Sequence, residues 1–182
     1  MEVEIKAKVK NFTNIKNKLI KFGAKLERRK KQVDIFYKPK KEVRSTLRPG
    51  SYILRTRESG NDKFLTFKAL TPIKGAWEEY EVRIDNTKEM QKILERLDLV
   101  RVFSINKIRI SAQLGDFELN LDRVKELGNY IEIGLIDTDG EKAQNKIIEL
   151  YSKLGISEKQ LERRGYGEII IANMGIKSNG IK

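Results

Sequence analysis

Polar and apolar residues alternate along much of this chain, beginning at its first residues. Glu2, Glu4 and Lys6 fall on one face of an extended segment, with Val3 and Ile5 on the other. The same period of two residues recurs further along and predicts about eight strands in total. The other stretches are 25–37, 51–59, 63–70, 78–85, 104–112, 116–124 and 129–136.

Segments with a helical period lie between these strands. Residues 11–23, 86–99 and 139–155 each combine an Asn, Thr or Asp near the start with apolar residues on one face. Gly23 and Gly155 end the first and the third of them. Residues 157–175 predict one or two further helices. Short turns between several strands favour an antiparallel sheet, and the basic segment 38–50 is predicted to be a long mobile loop.

Composition narrows the chemistry that is available. Charged residues make up 35% of the 182 residues and the net charge is +12, which favours anionic partners. The chain has no Cys and no His, so disulfides, imidazole bases and His metal ligands are excluded. A bound metal would need oxygen ligands, which suits Mg²⁺, Mn²⁺ or Ca²⁺. The richness in Lys, Glu and Ile is typical of thermophile proteins.

The charged strand faces suggest more than an exposed surface. One charged face of an antiparallel sheet ordinarily meets water, but here strand after strand carries both signs close together. A barrel of about eight strands encloses a space for one small ligand. We therefore predict an α+β fold with a closed antiparallel eight-stranded β-barrel, whose charged lumen binds a polyphosphate and its cations. Glu2 and Glu4, about 7 Å apart along the strand, can converge on one cation.

An ordered set of motifs supports this prediction. Glu2, Glu4 and Lys6 form Glu-x-Glu-x-Lys, and QVDIFY, LRTR, TFKAL, EEYEVRI, NKIRI and LDRVKELGNYIEI follow in order over roughly residues 1–155. In these motifs the chain resembles the CYTH superfamily, the triphosphate tunnel metalloenzymes, and most closely its class IV adenylate cyclase-like branch. One position departs from that pattern, because Gly134 stands where many members carry a second acidic residue.

The resemblance implies a role for each matching residue. Glu2, Glu4 and Glu132 would bind Mg²⁺ or Mn²⁺ and, with Lys6, form the catalytic group. Further acidic positions near the metals would be Asp122, Glu79 and Glu81. The residues that would hold the triphosphate are Lys6, Arg55, Arg57, Lys68, Arg83, Lys107 and Arg109.

Three functions remain open from the sequence. Attack of a ribose hydroxyl on the α-phosphorus of ATP would give cyclic AMP and pyrophosphate, as in a class IV adenylate cyclase. Attack of water on the γ-phosphorus would make the protein a triphosphatase of inorganic triphosphate, thiamine triphosphate or a nucleotide. A non-catalytic binder of polyphosphate or nucleotide is the third alternative, although such a binder has no use for inward carboxylates.

The remaining expectations concern organisation and location. We predict one tunnel domain over residues 1–175 and a flexible tail over residues 176–182. The sequence contains no apolar run long enough to span a bilayer, so a cytoplasmic protein is expected. A homodimer is expected from the family. Nucleic acid is not an expected partner, because only 8% of the residues are aromatic and they form no obvious stripe for stacking along the basic residues.

Overall fold

The computed structural model describes residues 2–43, 48–70 and 77–173, and for Glu2, Trp77, Ile171 and Asn173 it describes the backbone only. The predicted tail 176–182 and part of the predicted loop 38–50 lie outside these residues. The strands are β1 (Glu2–Lys8), β2 (Lys25–Leu26), β3 (Lys30–Pro39), β4 (Tyr52–Ser59), β5 (Asp62–Leu70), β6 (Trp77–Arg83), β7 (Leu99–Leu114), β8 (Phe117–Val124), β9 (Gly128–Ile136) and β10 (Leu161–Glu162). The helices are α1 (Thr13–Lys21), α2 (Thr87–Arg96), α3 (Gly140–Lys153) and α4 (Tyr166–Asn173).

The strands form one large antiparallel sheet. Its hydrogen-bonded order is β10-β1-β9-β8-β7-β3-β4-β5-β6, with β2 pairing on β7. The prediction of a closed eight-stranded barrel is wrong, because within the described residues this path of nine strands, with β2 beside β7, is open. Closure requires every strand to pair along both edges. The end strand β10 offers only two residues, which pair with Lys6 and Ala7 of β1.

The chain divides into two compact units. Unit 1 comprises Met1–Lys30 and Lys107–Arg164, and unit 2 comprises Lys31–Asn106 and Gly165–Lys182. Unit 1 therefore contains β1, β2, β8, β9, β10, α1, α3 and residues 107–114 of β7. Unit 2 contains β3 to β6, α2, α4 and residues 99–106 of β7. No helix within the described residues is long and apolar enough to cross a membrane.

The core of unit 1 lies between its sheet and two helices. Apolar side chains that alternate along β1, β8 and β9 point to one face, and the buried positions of α1 and α3 pack against them. The helix α3 contacts β1 and β9, where Tyr151 is fully buried. Gly23 takes a φ of +92° just after α1, which confirms it as the residue that ends this helix.

The core of unit 2 lies on the face of its sheet that carries Leu54 and Leu65. The helix α2 packs there through Leu94 and Met90. Asn86 caps α2 as predicted, because its side-chain oxygen accepts hydrogen bonds from the backbone of Lys88 and Glu89 at 3.0 and 3.2 Å. The alternating polar residues of β3, β4, β5 and β6 fall on the opposite face of this sheet.

One local prediction needs correction. The segment 38–50 is not a loop throughout, because β3 continues to Pro39 and a 3-10 turn follows at Lys40–Glu42. Of the one or two helices predicted for the C-terminal segment, its described residues contain one, α4. Before it, Glu158–Gln160 forms a 3-10 turn and Leu161–Glu162 pairs with β1. In that stretch, pairing with the distant strand β1 replaces the helical period.

Candidate functional site

Unit 1 gathers its charged side chains on the sheet face opposite its core. Lys6 faces Glu132 across β1 and β9, and Arg109 faces Asp122 across β7 and β8. Residues that are directly opposite in an antiparallel pair share a face, so β1, β9, β8 and β7 present these groups together. The alternation in the sequence therefore predicted this face correctly.

A chain of ionic contacts runs along this face. The Nζ of Lys6 lies 3.1 Å from Oε2 of Glu132 and 3.8 Å from Oε2 of Glu4. The guanidinium of Arg109 reaches Oε1 of Glu132 at 2.8 Å. Lys6 and Glu132 are buried, whereas the Glu4 side chain is 41% exposed. Glu4 is therefore the group of this chain of contacts that is most open to an incoming ligand.

The charges of Lys6 and Glu132 stabilise each other. Burial acts to lower the pKa of Lys6, but the carboxylates of Glu132 and Glu4 outweigh it and raise that pKa above its ordinary value. Burial acts to raise the pKa of Glu132, but Lys6, Arg109 and Lys107 hold it well below its usual range. Both groups are therefore ionised at neutral pH.

Asp122 holds the two cations of β7. Its carboxylate is fully buried and accepts two hydrogen bonds from Arg109, at 2.7 and 2.5 Å. Lys107 donates to the same carboxylate at 3.4 Å. Such a forked pair fixes the guanidinium in one orientation. In this arrangement Asp122 positions Arg109 and Lys107, a task different from the metal-binding role that the resemblance implies.

Unit 2 has a second charged face, on the side of its sheet opposite α2. Arg57 donates two hydrogen bonds of 2.7 Å to Asp34, its direct partner across β3 and β4. The Asp34 side chain is 2% exposed and that of Arg57 15% exposed. The forked geometry again fixes the orientation of a guanidinium.

Arg55 is the centre of a second network in unit 2. Its guanidinium donates to Oγ1 of Thr66 at 3.0 and 3.2 Å and contacts Glu81 at 2.9 Å and Glu79 at 3.4 Å. Lys68 lies 2.7 Å from Oε2 of Glu79. Burial, and then the charge of Arg57, lower the pKa of Arg55. The carboxylates of Glu79 and Glu81 thus contact cations of the same face.

Arg83 stands apart from this group. Its side chain is 70% exposed and pairs with Asp62 at 3.2 Å. Its guanidinium also lies 5.8 Å from the centre of the Phe64 ring. Arg83 shares the face of Arg55 and Lys68 through the register of β5 and β6, but the structure does not bring it into contact with either.

Several residues of these networks have no counterpart in the sequence prediction. Asp34 and Thr66 hold the two arginines of unit 2, and Asn120 donates to Oε1 of Glu132 at 3.5 Å. Tyr151 of α3 contacts the carbonyl oxygens of Ile5 at 2.7 Å and of Ile131 at 3.0 Å. The alternation of polar and apolar residues could have placed the polar strand residues on these faces. It could not have predicted the contacts of Tyr151, because its partners are distant in sequence.

The donor set of unit 1 is compatible with a hard divalent cation. Glu4 and Glu132 approach the same ammonium group, so two carboxylates already converge on one positive charge. Within the described side chains, which do not include that of Glu2, no group of three acidic residues lies close enough to hold a metal. Two carboxylates with water and phosphate oxygens are a sufficient ligand set for Mg²⁺.

The strand register also shows where Gly134 lies, the position at which this sequence lacks the second acidic residue of the family pattern. This residue faces Glu4 on β1 and Glu118 on β8, so no side chain lies between those two carboxylates. An acidic side chain at position 134 would share the face of Glu4. Its replacement by glycine therefore removes one oxygen donor from the neighbourhood of Glu4.

The fold and the two faces define a class of α+β proteins in which an antiparallel sheet presents buried ionic networks of both signs. Residues 1–166 match the sequence model of the CYTH domain. The chain belongs to the CYTH family.

Known proteins resemble the chain over most of its length. A protein of Methanocaldococcus jannaschii, whose name makes it a candidate adenylate cyclase, is 29% identical over 174 residues, which are 93% of this chain and 98% of that protein. The structure of a protein from Pyrococcus horikoshii has a TM-score of 0.80 at 25% identity and covers 92% of this chain and 98% of its own. A structure from Hippeastrum, described as a candidate adenylyl cyclase with a dominant triphosphatase activity, has a TM-score of 0.67, with 96% of this chain and 95% of its own covered. At 17% identity it demonstrates similarity of fold alone.

Proposed function

We propose that this CYTH protein is an enzyme that acts on a triphosphate and depends on a divalent metal ion, Mg²⁺ or Mn²⁺. The observation that carries the proposal is the chain of contacts Glu4–Lys6–Glu132–Arg109 in unit 1. A protein that only bound anions would gain nothing from two carboxylates among its cations, because they weaken the attraction for phosphate. Carboxylates beside cations suit a ligand that is a phosphate with its metal.

The residues of both faces have distinct tasks in this proposal. Glu4 and Glu132, together with Glu2, hold the metal, which supplies charge neutralisation and orientation of the phosphate when bound. On the face of unit 1, Lys6, Lys107 and Arg109 bind phosphate oxygens. On the face of unit 2, taken by itself, Arg55, Arg57 and Lys68 are the groups that suit phosphate oxygens. Asp122 and Asp34 keep three of these cations in fixed orientations, which avoids reorganisation when the phosphate binds.

Two reactions fit this set of residues. The name of the Methanocaldococcus relative favours cyclisation, in which the ribose 3′-oxygen bonds to the α-phosphorus of ATP and pyrophosphate leaves. Hydrolysis is favoured by unit 2, where the backbone of α4 at Gly167 lies close to Phe103, the ring that stacks on Phe36 next to Arg55. In hydrolysis a water oxygen bonds to the γ-phosphorus, the bridging P–O bond breaks, and the proton passes to solvent or phosphate.

The products distinguish these reactions. The protein should be incubated with ATP, tripolyphosphate and thiamine triphosphate, each with Mg²⁺, with Mn²⁺ and without metal. Cyclic AMP with pyrophosphate identifies a cyclase, and orthophosphate identifies a triphosphatase. Metal-dependent binding without turnover identifies a non-catalytic binder. The absence of both binding and turnover refutes the proposal.

A substitution tests the metal site itself. Glu4→Ala is expected to abolish turnover and to weaken Mn²⁺ binding measured by titration calorimetry, with the fold retained in circular dichroism. The matched control is Glu149→Ala, which removes an exposed glutamate of α3 that pairs with Lys153. Unchanged turnover and Mn²⁺ affinity in Glu4→Ala would refute the assignment of Glu4.

A further inference from the structure

The helix α4 lies against the charged face of unit 2. Phe36 is the direct partner of Arg55 across β3 and β4, so both side chains share this face. Phe103 of β7 stacks on Phe36, with ring centroids 4.5 Å apart and an angle of 22° between the planes. A Cβ added at Gly167 of α4 would lie only 2.4 Å from Cζ of Phe103. The helix backbone therefore covers the tip of this aromatic pair.

The helix is firmly seated in this position. Tyr166, Ile169 and Ile170 are each at least 94% buried and lie on one side of α4. At its start, the backbone N–H of Gly165 donates to the Glu168 carboxylate at 2.7 Å, which satisfies one of the free N–H groups at that end. Burial of two isoleucine side chains is worth more than the stacking of one base on a ring. A base would therefore not displace α4.

Other stacking surfaces on this face are limited. Among the described side chains of the strands β3 to β6, Phe64 is the other aromatic residue on the same face of the sheet as Arg55. The guanidinium of Arg83 already lies over its ring, 5.8 Å from the centroid. Among the described side chains, the ring pair Phe36–Phe103, which is next to Arg55 in register, is thus the platform for a base attached to a bound triphosphate, and the backbone of α4 covers its tip.

We propose that α4 makes the phosphate-binding face of unit 2 selective for triphosphates without a base, with Gly167 and Phe103 as the residues that set this selectivity. The inference rests on the proposed function and specifies its substrate class. Gly167 permits this close approach, because a Cβ at this position would force Phe103 or α4 to shift. A nucleoside triphosphate could not place its base on the ring pair and would have to hold it against α4, so it would bind less tightly than a triphosphate without a base.

The test compares two ligands of equal charge. Methyl triphosphate lacks a nucleoside and, like ATP, has one ionisable oxygen fewer than tripolyphosphate, so a difference in affinity reflects the ribose and the base together. The change of that difference in variants that move α4 away from the ring pair reports the part that is due to the base. Dissociation constants for both are measured by titration calorimetry with Mg²⁺ in the wild type, Gly167→Ala and Gly167→Val. Gly165→Ala is the matched control, because a Cβ there meets only the Glu168 carboxylate at an ordinary 3.5 Å. Hydrogen exchange of the α4 amides reports whether the helix has moved.

We expect the wild type to bind methyl triphosphate about tenfold more tightly than ATP. In the Gly167 variants the α4 amides should exchange faster and the preference should fall at least about threefold, mainly through tighter binding of ATP. Gly165→Ala should keep the wild-type ratio. In the double variant Gly167→Ala/Phe103→Leu the shorter side chain admits the new methyl group, so the preference should return.

Each other outcome has one meaning. Equal affinities in the wild type overturn the inference, and so does an unchanged preference in a variant whose α4 amides exchange faster. If neither Gly167 variant changes exchange in α4, the close contact does not control the helix and the inference also fails. Failure of the wild type to bind or turn over either ligand with metal refutes the proposed function instead.

Discussion

The ammonium of Lys6 lies 3.1 Å from the Glu132 carboxylate, and both groups are buried on the charged face of unit 1. Glu132→Gln would leave Lys6 and Arg109 without this counter-charge. Removal of one partner of a buried ion pair costs about 3–5 kcal/mol. We expect a loss of this size in the free energy of unfolding, measured by urea denaturation at pH 7.

The same substitution should change the dependence of stability on pH. The pKa of Glu132 is lowered in the folded state, so its contribution is present above the unfolded value of about 4.3 and is lost as the pH falls through the folded value. The wild type should therefore lose more stability than Glu132→Gln on acidification below about pH 4. Glu149→Gln, on an exposed helix pair, should follow the wild type, and parallel curves for all three would contradict the assignment.

The buried ion pair between Asp34 and Arg57 should contribute substantially to the free energy of unfolding. Asp34→Asn removes the charge that holds a guanidinium whose side chain is 15% exposed, and we expect a loss of about 3 kcal/mol in urea denaturation. Glu27→Gln breaks an exposed contact of 3.4 Å with Lys30 and should cost less than about 1 kcal/mol. Equal effects would show that the buried pair has no special role.

Tyr151 connects α3 to the two strands that carry Lys6 and Glu132. Tyr151→Phe removes the hydroxyl that contacts the carbonyls of Ile5 and Ile131, and one such hydrogen bond contributes about 1 kcal/mol. Hydrogen exchange should also rise at the amides of β1 and β9 if the hydroxyl fixes these strands. Tyr80→Phe, at a tyrosine that is 63% exposed, is the control and should leave the exchange of these amides unchanged. Faster exchange of the β1 and β9 amides in Tyr80→Phe but not in Tyr151→Phe would contradict this role.

The charged faces could be predicted because they follow from a local rule. In a strand every second residue shares a face, so the sequence alone placed Glu4 and Lys6 together, and likewise Arg55 and Arg57. The helix boundaries at Asn86 and Gly23 also depend on nearby residues. Features of this kind can be predicted because the interactions that produce them act within a few residues along the chain.

The partners within those faces could not be predicted. Whether Glu132 meets Lys6 depends on the register between β1 and β9, which are more than a hundred residues apart in sequence. The roles of Asp34 and Thr66 depend on register in the same way. Closure of the barrel failed as a prediction for a related reason, because strand number does not determine which edges pair. The approach of Gly167 to Phe103 likewise joins two distant segments.

The opposite pKa shifts of Lys6 and Glu132 have a consequence for enzymology. With no histidine in the chain and these two groups titrating far from neutrality, neither of them changes protonation over the range in which most assays are run. A terminal phosphate, in contrast, has a second ionisation near pH 6. A bell or step in the rate–pH profile near that value would then record the protonation of the substrate.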